Sequence, residues 1–286
     1  MDSSTVESSL TNARGEKLFV KRWLPRSNPS DFRALLCIVH GIGEHVDRFA
    51  VLAEAFAEKS FLVFGQDLVG HGRSEGIRVD VDDFHYYDQD VLLQINEVRK
   101  EHPNIPLFLF GQSMGGAVAL VTALNNPELF AGVVLIAPAI LIDPKEATAC
   151  RIFVGRLLAS VAPQFSLGVL PPEKLSRNKK EVESYVNDPL VWHGGVKARQ
   201  AMRSLAAFRE IQSRMEEIKF SFIVLHGDGD QVVLKAGSEM LIEKAQSADK
   251  TFKTYPDMGH TLLHELEDNS KKVLQDIIDW ILSRLG

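Results

Sequence analysis

Short apolar runs alternate with amphipathic stretches through most of this 286-residue sequence. Several runs are apolar throughout, as strands covered on both faces require, and the stretches between them show helical spacing. The alternation predicts an α/β fold: a mostly parallel central sheet with helices on both faces. The predicted strands are 17–23, 34–39, 61–66, 106–110, 132–137, 220–225 and 251–255, and the predicted helices are 48–59, 87–101, 115–125, 235–247 and 270–285.

The alternation is interrupted between about residues 143 and 217, where the pattern is mainly helical and contains several prolines. We interpret this stretch as a cap inserted between two strands of a single domain that spans residues 1–286. Its segment CRIFVGRLLASVAPQFSLGVL, residues 150–170, is strongly apolar but too short and interrupted to cross a bilayer. Two interpretations of this segment remain open: a hydrophobic lid, or an ordinary buried helix of an enlarged core.

Composition and charge restrict the functional classes. A net charge of −6 gives no reason to expect a nucleic-acid partner, because phosphate binding needs clustered cations. The polar first residues lack the apolar segment of a signal peptide, so we expect a cytoplasmic protein. Cys37 and Cys150 match neither a disulfide framework nor metal-ligand spacing, and we predict that both are buried, reduced thiols.

The segment FGQSMGG, residues 110–116, places Ser113 between Gly111 and Gly115, directly after an apolar run and before a helical one. This arrangement is typical of a nucleophile elbow, a sharp strand-to-helix turn that exposes a serine hydroxyl. A side chain at either glycine would collide with the neighbouring strand or helix. We therefore predict that Ser113 is a nucleophile.

A serine nucleophile needs a base, and the base needs an acid that orients it. Asp228 and Asp230 follow an apolar run, and His260 follows the last predicted strand. The order serine, acid, histidine is the one expected in an α/β-hydrolase. Spacing alone does not choose between Asp228 and Asp230. We expect His264 to be a solvated residue outside the site.

Acyl transfer also needs donors for an oxyanion, usually two backbone N–H groups. One is predicted at Met114, which follows the nucleophile. The other is predicted at Ile42, in the glycine-containing loop HGIGEH, residues 40–45. The turn DLVGHGRSEG, residues 67–76, lacks the spacing and the lysine of a phosphate loop, and we interpret it as structural.

The motifs HGIGEH, DLVGHGRSEG, GQSMGG, SRNKKEV and NDPL, together with the Asp230 and His260 signals, resemble the monoacylglycerol lipases (monoglyceride lipases) of the α/β-hydrolase superfamily. The resemblance extends from about Glu16 to the C-terminus, and the cap motifs SRNKKEV and NDPL are its most specific part. It implies an α/β-hydrolase core under a hydrophobic cap, a lipid monoester substrate cleaved to fatty acid and glycerol, and no metal or cofactor. It also implies peripheral membrane association through the cap, and it leaves a homodimer open.

The resemblance also assigns roles to individual positions. It places the acid on Asp230, a polar pair supporting the oxyanion loop on Glu44 and Arg48, and a tyrosine near the glycerol end of the pocket on Tyr185. The chain departs from the mammalian pattern at four pocket positions. Three reactive cysteines and one histidine are replaced, by Val233, Trp192, Arg199 and Leu263 respectively.

Other functions remain open on the sequence. A lysophospholipase, or a carboxylesterase acting on aromatic acyl esters, would share the elbow and the HGxGEH loop. A catalytically silent hydrolase fold that binds a small ligand is an alternative of another class. The aliphatic cap favours a lipid substrate, and the intact set of Ser113, Asp230 and His260 favours an enzyme.

Overall fold

The computed structural model describes residues 4–25, 32–143, 145 and 148–285. Within these residues eight strands form one sheet. The strands are β1 Ser4–Thr11, β2 Lys17–Leu24, β3 Ala34–Val39, β4 Phe61–Gln66, β5 Leu107–Gln112, β6 Gly132–Ile136, β7 Phe222–Gly227 and β8 Lys250–Tyr255. Their order in the sheet is β1-β2-β4-β3-β5-β6-β7-β8.

Strands β3 to β8 run parallel to one another, and only β1 and β2 are antiparallel to their neighbours. Every residue of β3, β4, β5, β6 and β7 is buried. These strands therefore lack the polar–apolar alternation of a half-exposed strand, because helices cover both faces of the sheet. The predicted α/β class with a mostly parallel sheet is confirmed.

Eight α-helices are present in the described part of the chain. They are α1 Ala50–Ala57, α2 His85–Glu101, α3 Met114–Asn125, α4 Ala149–Val161, α5 Lys179–Asn187, α6 Ala198–Arg214, α7 Lys235–Lys244 and α8 Glu267–Leu282. One face of the sheet packs against α1 and α8, and the other packs against α2, α3, α6 and α7. The carboxyl ends of the parallel strands thus meet at one edge, where the loops gather.

Strand β1 was not predicted. Seven of its eight residues are exposed, and only Leu10 is partly buried, so its sequence shows no apolar alternation. It is held by antiparallel pairing with β2, from Ser4 opposite Leu24 to Thr11 opposite Lys17. Backbone hydrogen bonds, rather than side-chain burial, therefore define this edge strand.

Two predictions about single residues are wrong. Cys37 is buried as expected, but Cys150 is exposed, because it lies in the first turn of α4 where that helix faces solvent. His264 is not a solvated residue: its Nε2–H donates to the carbonyl oxygen of Arg48 at 2.8 Å, and its ring packs edge-on against Phe49. A short 3-10 turn, Leu262–His264, directs this imidazole inward toward α1.

The chain between β6 and β7 contains α4, α5 and α6. Of the two interpretations of residues 150–170, the buried helix is wrong, because Phe153 and Val161 of α4 are 69% and 70% exposed. None of the helices described has both the length and the apolar character needed to span a membrane. Four apolar side chains of α4 thus face solvent, namely Phe153, Val154, Leu157 and Val161.

Candidate active site

Ser113 occupies the turn between β5 and α3. Its φ of 56° and ψ of −122° lie outside the regions that ordinary residues favour, as in a nucleophile elbow. The turn is held by the end of β6, since the Ser113 N–H donates to Ile136 O at 3.0 Å and Ala139 N–H donates to Ser113 O at 3.0 Å. The strained serine is therefore fixed by hydrogen bonds on both sides of its backbone.

The glycines of the elbow are required by close packing. A Cβ atom on Gly111 would lie 2.3 Å from the carbonyl oxygen of Gly115. A Cβ atom on Gly115 would lie 2.2 Å from the carbonyl oxygen of Val39. Because backbone atoms occupy both positions, no side chain fits there without moving β3 or α3.

His260 follows β8 and lies against Asp230, which follows β7. The His260 Nδ1 atom is 2.8 Å from Asp230 Oδ2, and the backbone N–H groups of Val232 and Val233 donate to Asp230 Oδ1 at 2.7 and 3.0 Å. Burial by itself raises the pKa of Asp230, but hydrogen bonds from His226 and His260 outweigh it and hold the pKa of this carboxyl below its usual range. A carboxylate only accepts hydrogen bonds, so neutral His260 carries its proton on Nδ1 and presents Nε2 as a base.

Asp228, the alternative acid, has a different partner. Its carboxylate accepts the backbone N–H of Asp257 at 2.5 Å. Asp257 has a φ of 59°, a conformation that a short polar turn residue tolerates. Asp228 thus ties the loop after β7 to the loop after β8, while Asp230 is the carboxylate that meets His260.

Ser113 and His260 line one small cavity of about 30 Å³, together with Ile42, Glu44 and Tyr185. Through Ile42, Tyr185 and Leu170 this cavity adjoins a larger one of about 240 Å³. The larger cavity is lined mainly by apolar side chains, which include Val79, Val169, Pro172, Val186, Trp192 and Val196. A large apolar cavity beside a small one that Glu44, Ser113 and Tyr185 help to line suits a ligand with an apolar chain and a compact polar end.

The backbone around Ser113 offers donors for an oxyanion. Met114 is the first residue of α3, so its N–H has no carbonyl one turn earlier in the helix. The loop that contains Ile42 approaches closely, since a Cβ atom on Gly41 would lie 3.4 Å from the Ser113 Cβ. The positive end of the α3 dipole points to the same place and favours negative charge there.

Glu44 and Tyr185 line the small cavity, and Arg48 lies beside both of them. Glu44 Oε1 is 3.8 Å from Arg48 Nε, and the Arg48 guanidinium lies 5.5 Å from the centre of the Tyr185 ring. Glu44 Oε2 is buried without a hydrogen-bond partner among the described residues. Burial, reinforced by the negative charge of Glu44, raises the pKa of Tyr185 to about 12, so its hydroxyl is neutral. These groups can hydrogen-bond to hydroxyls of a bound molecule.

Not every predicted residue lines the cavity that Ser113 opens into. Asp230 lies behind His260, Met114 contributes its backbone, and Arg48 lines a smaller cavity next to Tyr185. In the described part of the chain, no group of three or more His, Cys, Asp or Glu side chains could hold a metal ion.

The sequence analysis did not predict two contacts between the cap and the site. Asp188 of the NDPL motif accepts a hydrogen bond from His45 Nε2 at 2.9 Å, and the Trp192 N–H donates to Gly43 O at 2.8 Å. The cap motif thereby holds the loop that contains Ile42. The resemblance marked NDPL as specific, but neither spacing nor periodicity could show what Asp188 contacts.

Comparisons with known proteins show which family this chain resembles. The family model described as "Serine aminopeptidase, S33" matches residues 30–267. The monoglyceride lipase of Rattus norvegicus is 39% identical over 277 residues, which cover 97% of this chain and 90% of the rat protein. The human monoglyceride lipase is 39% identical over 275 residues, which cover 96% of this chain and 90% of the human protein.

A solved structure shows the same architecture. The crystal structure of Paleococcus ferrophilus monoacylglycerol lipase matches with a TM-score of 0.80 and 27% identity, covering 93% of this chain and 99% of that one. This chain belongs to the monoglyceride lipase family of α/β-hydrolases.

Proposed function

We propose that this protein is a serine hydrolase that cleaves monoacylglycerols to a free fatty acid and glycerol. One observation carries the proposal: Ser113 and the Asp230-bound His260 line the same small cavity, which adjoins a larger apolar one. The likeness to monoglyceride lipases over nearly the full chain supports it.

The proposed mechanism follows from these positions. His260 Nε2 takes the proton of Ser113 as its Oγ attacks the ester carbonyl, and Asp230 stabilises the imidazolium that forms. The N–H groups of Ile42 and Met114 bind the oxyanion of the tetrahedral intermediate. His260 then returns the proton to the leaving glycerol. A water molecule, activated by His260 in the same way, releases the fatty acid and restores Ser113.

The two cavities support a monoacylglycerol over the alternative esters. The larger one, of about 240 Å³, is apolar and suits an acyl chain, whose transfer from water is favourable. Glu44 and Tyr185 line the smaller one, and a carboxyl and a hydroxyl can both hydrogen-bond to the hydroxyls of glycerol. The phosphate group of a lysophospholipid would lie beside the buried Glu44 carboxyl in this cavity, and two negative charges at that distance repel each other. This disfavours lysophospholipids.

Two measurements test the function. The specificity constant should be at least tenfold higher for a monoacylglycerol than for a lysophospholipid or a phenolic ester with the same acyl group. A fluorophosphonate probe should label the wild-type protein and not the Ser113→Ala variant. A preference for the phenolic ester would favour the aromatic esterase, and absence of labelling would favour a silent ligand-binding protein.

We also propose that the cap binds peripherally to membranes. Phe153, Leu157 and Val161 of α4 are 69%, 54% and 70% exposed, and Val169, 59% exposed, also lines the apolar cavity. An exposed apolar surface that reaches the mouth of a lipid site suits contact with acyl chains. Helix α4 has no acidic residue and carries the exposed Arg156, which favours anionic lipid surfaces.

Vesicle binding tests this second proposal. The double variant Phe153→Ser/Leu157→Ser should bind phosphatidylglycerol-containing vesicles about tenfold or more weakly, because less apolar area is buried. It should keep its rate on a short-chain, water-soluble ester. Val51→Ser is the matched control, since Val51 is 71% exposed on α1, outside the cap. Equal vesicle binding by both variants would contradict a membrane contact at α4.

A further inference from the structure

His226, at the end of β7, is a fully buried histidine that the mechanism above does not use. Its Nδ1 atom lies 2.8 Å from the hydroxyl oxygen of Ser238, in α7. Its Nε2 atom lies 3.2 Å from Asp230 Oδ2 and 3.3 Å from the carbonyl oxygen of Val233. Two histidines, His226 and His260, therefore approach the same carboxylate oxygen.

The partners of His226 determine where its proton lies. The Asp230 carboxylate and the Val233 carbonyl can only accept hydrogen bonds, so Nε2 carries hydrogen. In the neutral ring Nδ1 is then an acceptor, and the Ser238 hydroxyl donates to it. Ser238 thus selects the tautomer with hydrogen on Nε2, the atom that lies between Asp230 Oδ2 and the Val233 carbonyl.

We propose that His226 is a positioning residue for ester hydrolysis, and that its Nε2–H holds Oδ2 of Asp230 in place against His260. This rests on the proposed function of the Ser113 site. The backbone N–H groups of Val232 and Val233 hold the other oxygen, Oδ1, so that the carboxylate plane is fixed from both ends.

The expected contribution follows from the role of the acid in such a site. Asp230 orients the imidazole and stabilises its positive charge, and both effects depend on where Oδ2 points. Without the His226 donor, Oδ2 keeps His260 as its only remaining side-chain donor in the described structure, and the carboxylate can rotate. A displacement of about 1 Å in a catalytic group can cost about 10²-fold in rate.

A purely structural role for His226 predicts something different. The same ring joins β7 to α7 through Ser238 and to the following loop through Val233, so its loss could merely loosen packing. Two substitutions separate the roles. His226→Gln keeps an N–H donor at a similar distance from the backbone, whereas His226→Leu fills the space but donates nothing.

The experiment compares kcat, KM and thermal unfolding of the wild-type, His226→Gln, His226→Leu and Ser238→Ala proteins on one monoacylglycerol. His226→Leu should lower kcat by about 10²-fold with KM changed less than about twofold. His226→Gln should stay within about fivefold of the wild-type kcat. Ser238→Ala leaves the imidazole of His226 in place but removes the hydroxyl that fixes its tautomer. Its kcat should lie between those of the two His226 variants.

A spectroscopic measurement keeps the test independent of rate. The downfield proton resonance of the His260 Nδ1–H bonded to Asp230 should persist in His226→Gln and shift or broaden in His226→Leu. Wild-type kcat in folded His226→Leu, or equal damage in both variants, would overturn the proposal. If His226→Leu does not fold, an unchanged kcat and resonance in Ser238→Ala would overturn it instead. An inactive wild-type protein would contradict the proposed function, and not the role of His226 alone.

Discussion

Arg177 of the cap forms an ion pair with Glu265, whose carboxylate is fully buried: Arg177 Nε lies 3.2 Å from Glu265 Oε2. The other oxygen, Glu265 Oε1, accepts the N–H of Gly259 at 2.8 Å. Gly259 directly precedes His260, so a single carboxylate joins the cap to the loop that carries the candidate base. The backbone adds to this junction, because Thr261 N–H donates to Leu175 O at 2.9 Å.

We expect Arg177→Ala to destabilise the protein and to lower kcat, because it leaves the buried Glu265 without its cation. The double variant Arg177→Ala/Glu265→Gln should recover part of the loss, because glutamine is neutral and still offers an oxygen to Gly259. Thermal unfolding and kcat of the wild-type, single and double variants form a double-mutant cycle. Strictly additive effects would contradict a coupling between these side chains.

The two acids after β7 should differ sharply in function. Asp230→Asn should lower kcat by about 10⁴-fold, because an amide favours the wrong tautomer of His260. Asp228→Asn should stay within a few-fold of wild type, since the Asp228 carboxylate contacts the backbone of Asp257 and not His260. Steady-state kinetics on one monoacylglycerol decide the matter. A larger loss in Asp228→Asn would show that our choice of acid is wrong.

The elbow should not tolerate a methyl group at Gly115. A Cβ atom there meets Val39 O at 2.2 Å, so Gly115→Ala should cost about 4 kcal/mol or more, or prevent folding. Gly168→Ala is the control: a Cβ atom there meets nothing within 4 Å, and only the φ of +147° is unfavourable for alanine. It should cost only about 1 to 3 kcal/mol, from the unfavourable φ alone. Equal losses in chemical denaturation would rule out packing as the cause.

Acid should destabilise this fold through two histidines, the buried His71 and the largely buried His264. Burial, with the nearby Arg48 guanidinium, lowers the pKa of His264 to about 4, and burial lowers the pKa of His71 to about 4. In the unfolded chain both rings titrate near pH 6.5. Between pH 4 and 6.5 the unfolded state therefore binds more protons, and the free energy of unfolding falls as the pH falls through this range.

Each of these histidines can account for up to about 3 kcal/mol of the decrease in the free energy of unfolding. Above about pH 6.5 the decrease is absent. His264→Gln keeps an N–H for the Arg48 carbonyl but does not titrate, so its stability should depend less on pH. Denaturant unfolding at about pH 7.5, 5.5 and 4.5 measures the difference. Parallel curves for the wild-type and variant proteins would contradict a neutral, buried His264.

Trp192 should limit the length of the acyl chain. Its indole lines the larger cavity and is held by a hydrogen bond from Nε1 to Gly195 O at 2.8 Å. Trp192→Ala should enlarge the chamber and raise the ratio of specificity constants for long over short acyl chains by about tenfold. Trp192→Phe is the milder control. The backbone contact with Gly43 is kept in both variants, so an unchanged ratio would exclude Trp192 as a wall of the acyl site.

The sequence pattern was sufficient to predict a structural element wherever the interactions that form it join residues close in sequence. The buried strands show as apolar runs because each run is covered on both faces, and the covering helices show as a 3.6-residue spacing. The elbow motif is also local, since Gly111 and Gly115 lie two residues from Ser113, but the carbonyl that crowds Gly115 belongs to Val39 of β3. Strand β1 escaped prediction because its side chains are exposed and only backbone pairing with β2 defines it.

Sequence alone thus determined the fold class, the elbow, and the order in which a serine, two aspartates and a histidine follow their strands. It could not choose between Asp228 and Asp230, which lie on one short turn and differ only in which loop residue packs against them. Nor could it bring His226 to Asp230 or Arg177 to Glu265. Such contacts join residues that are far apart in sequence, and their distance depends on the strand order and on how the cap packs on the sheet. Both are decided only when the whole chain has folded.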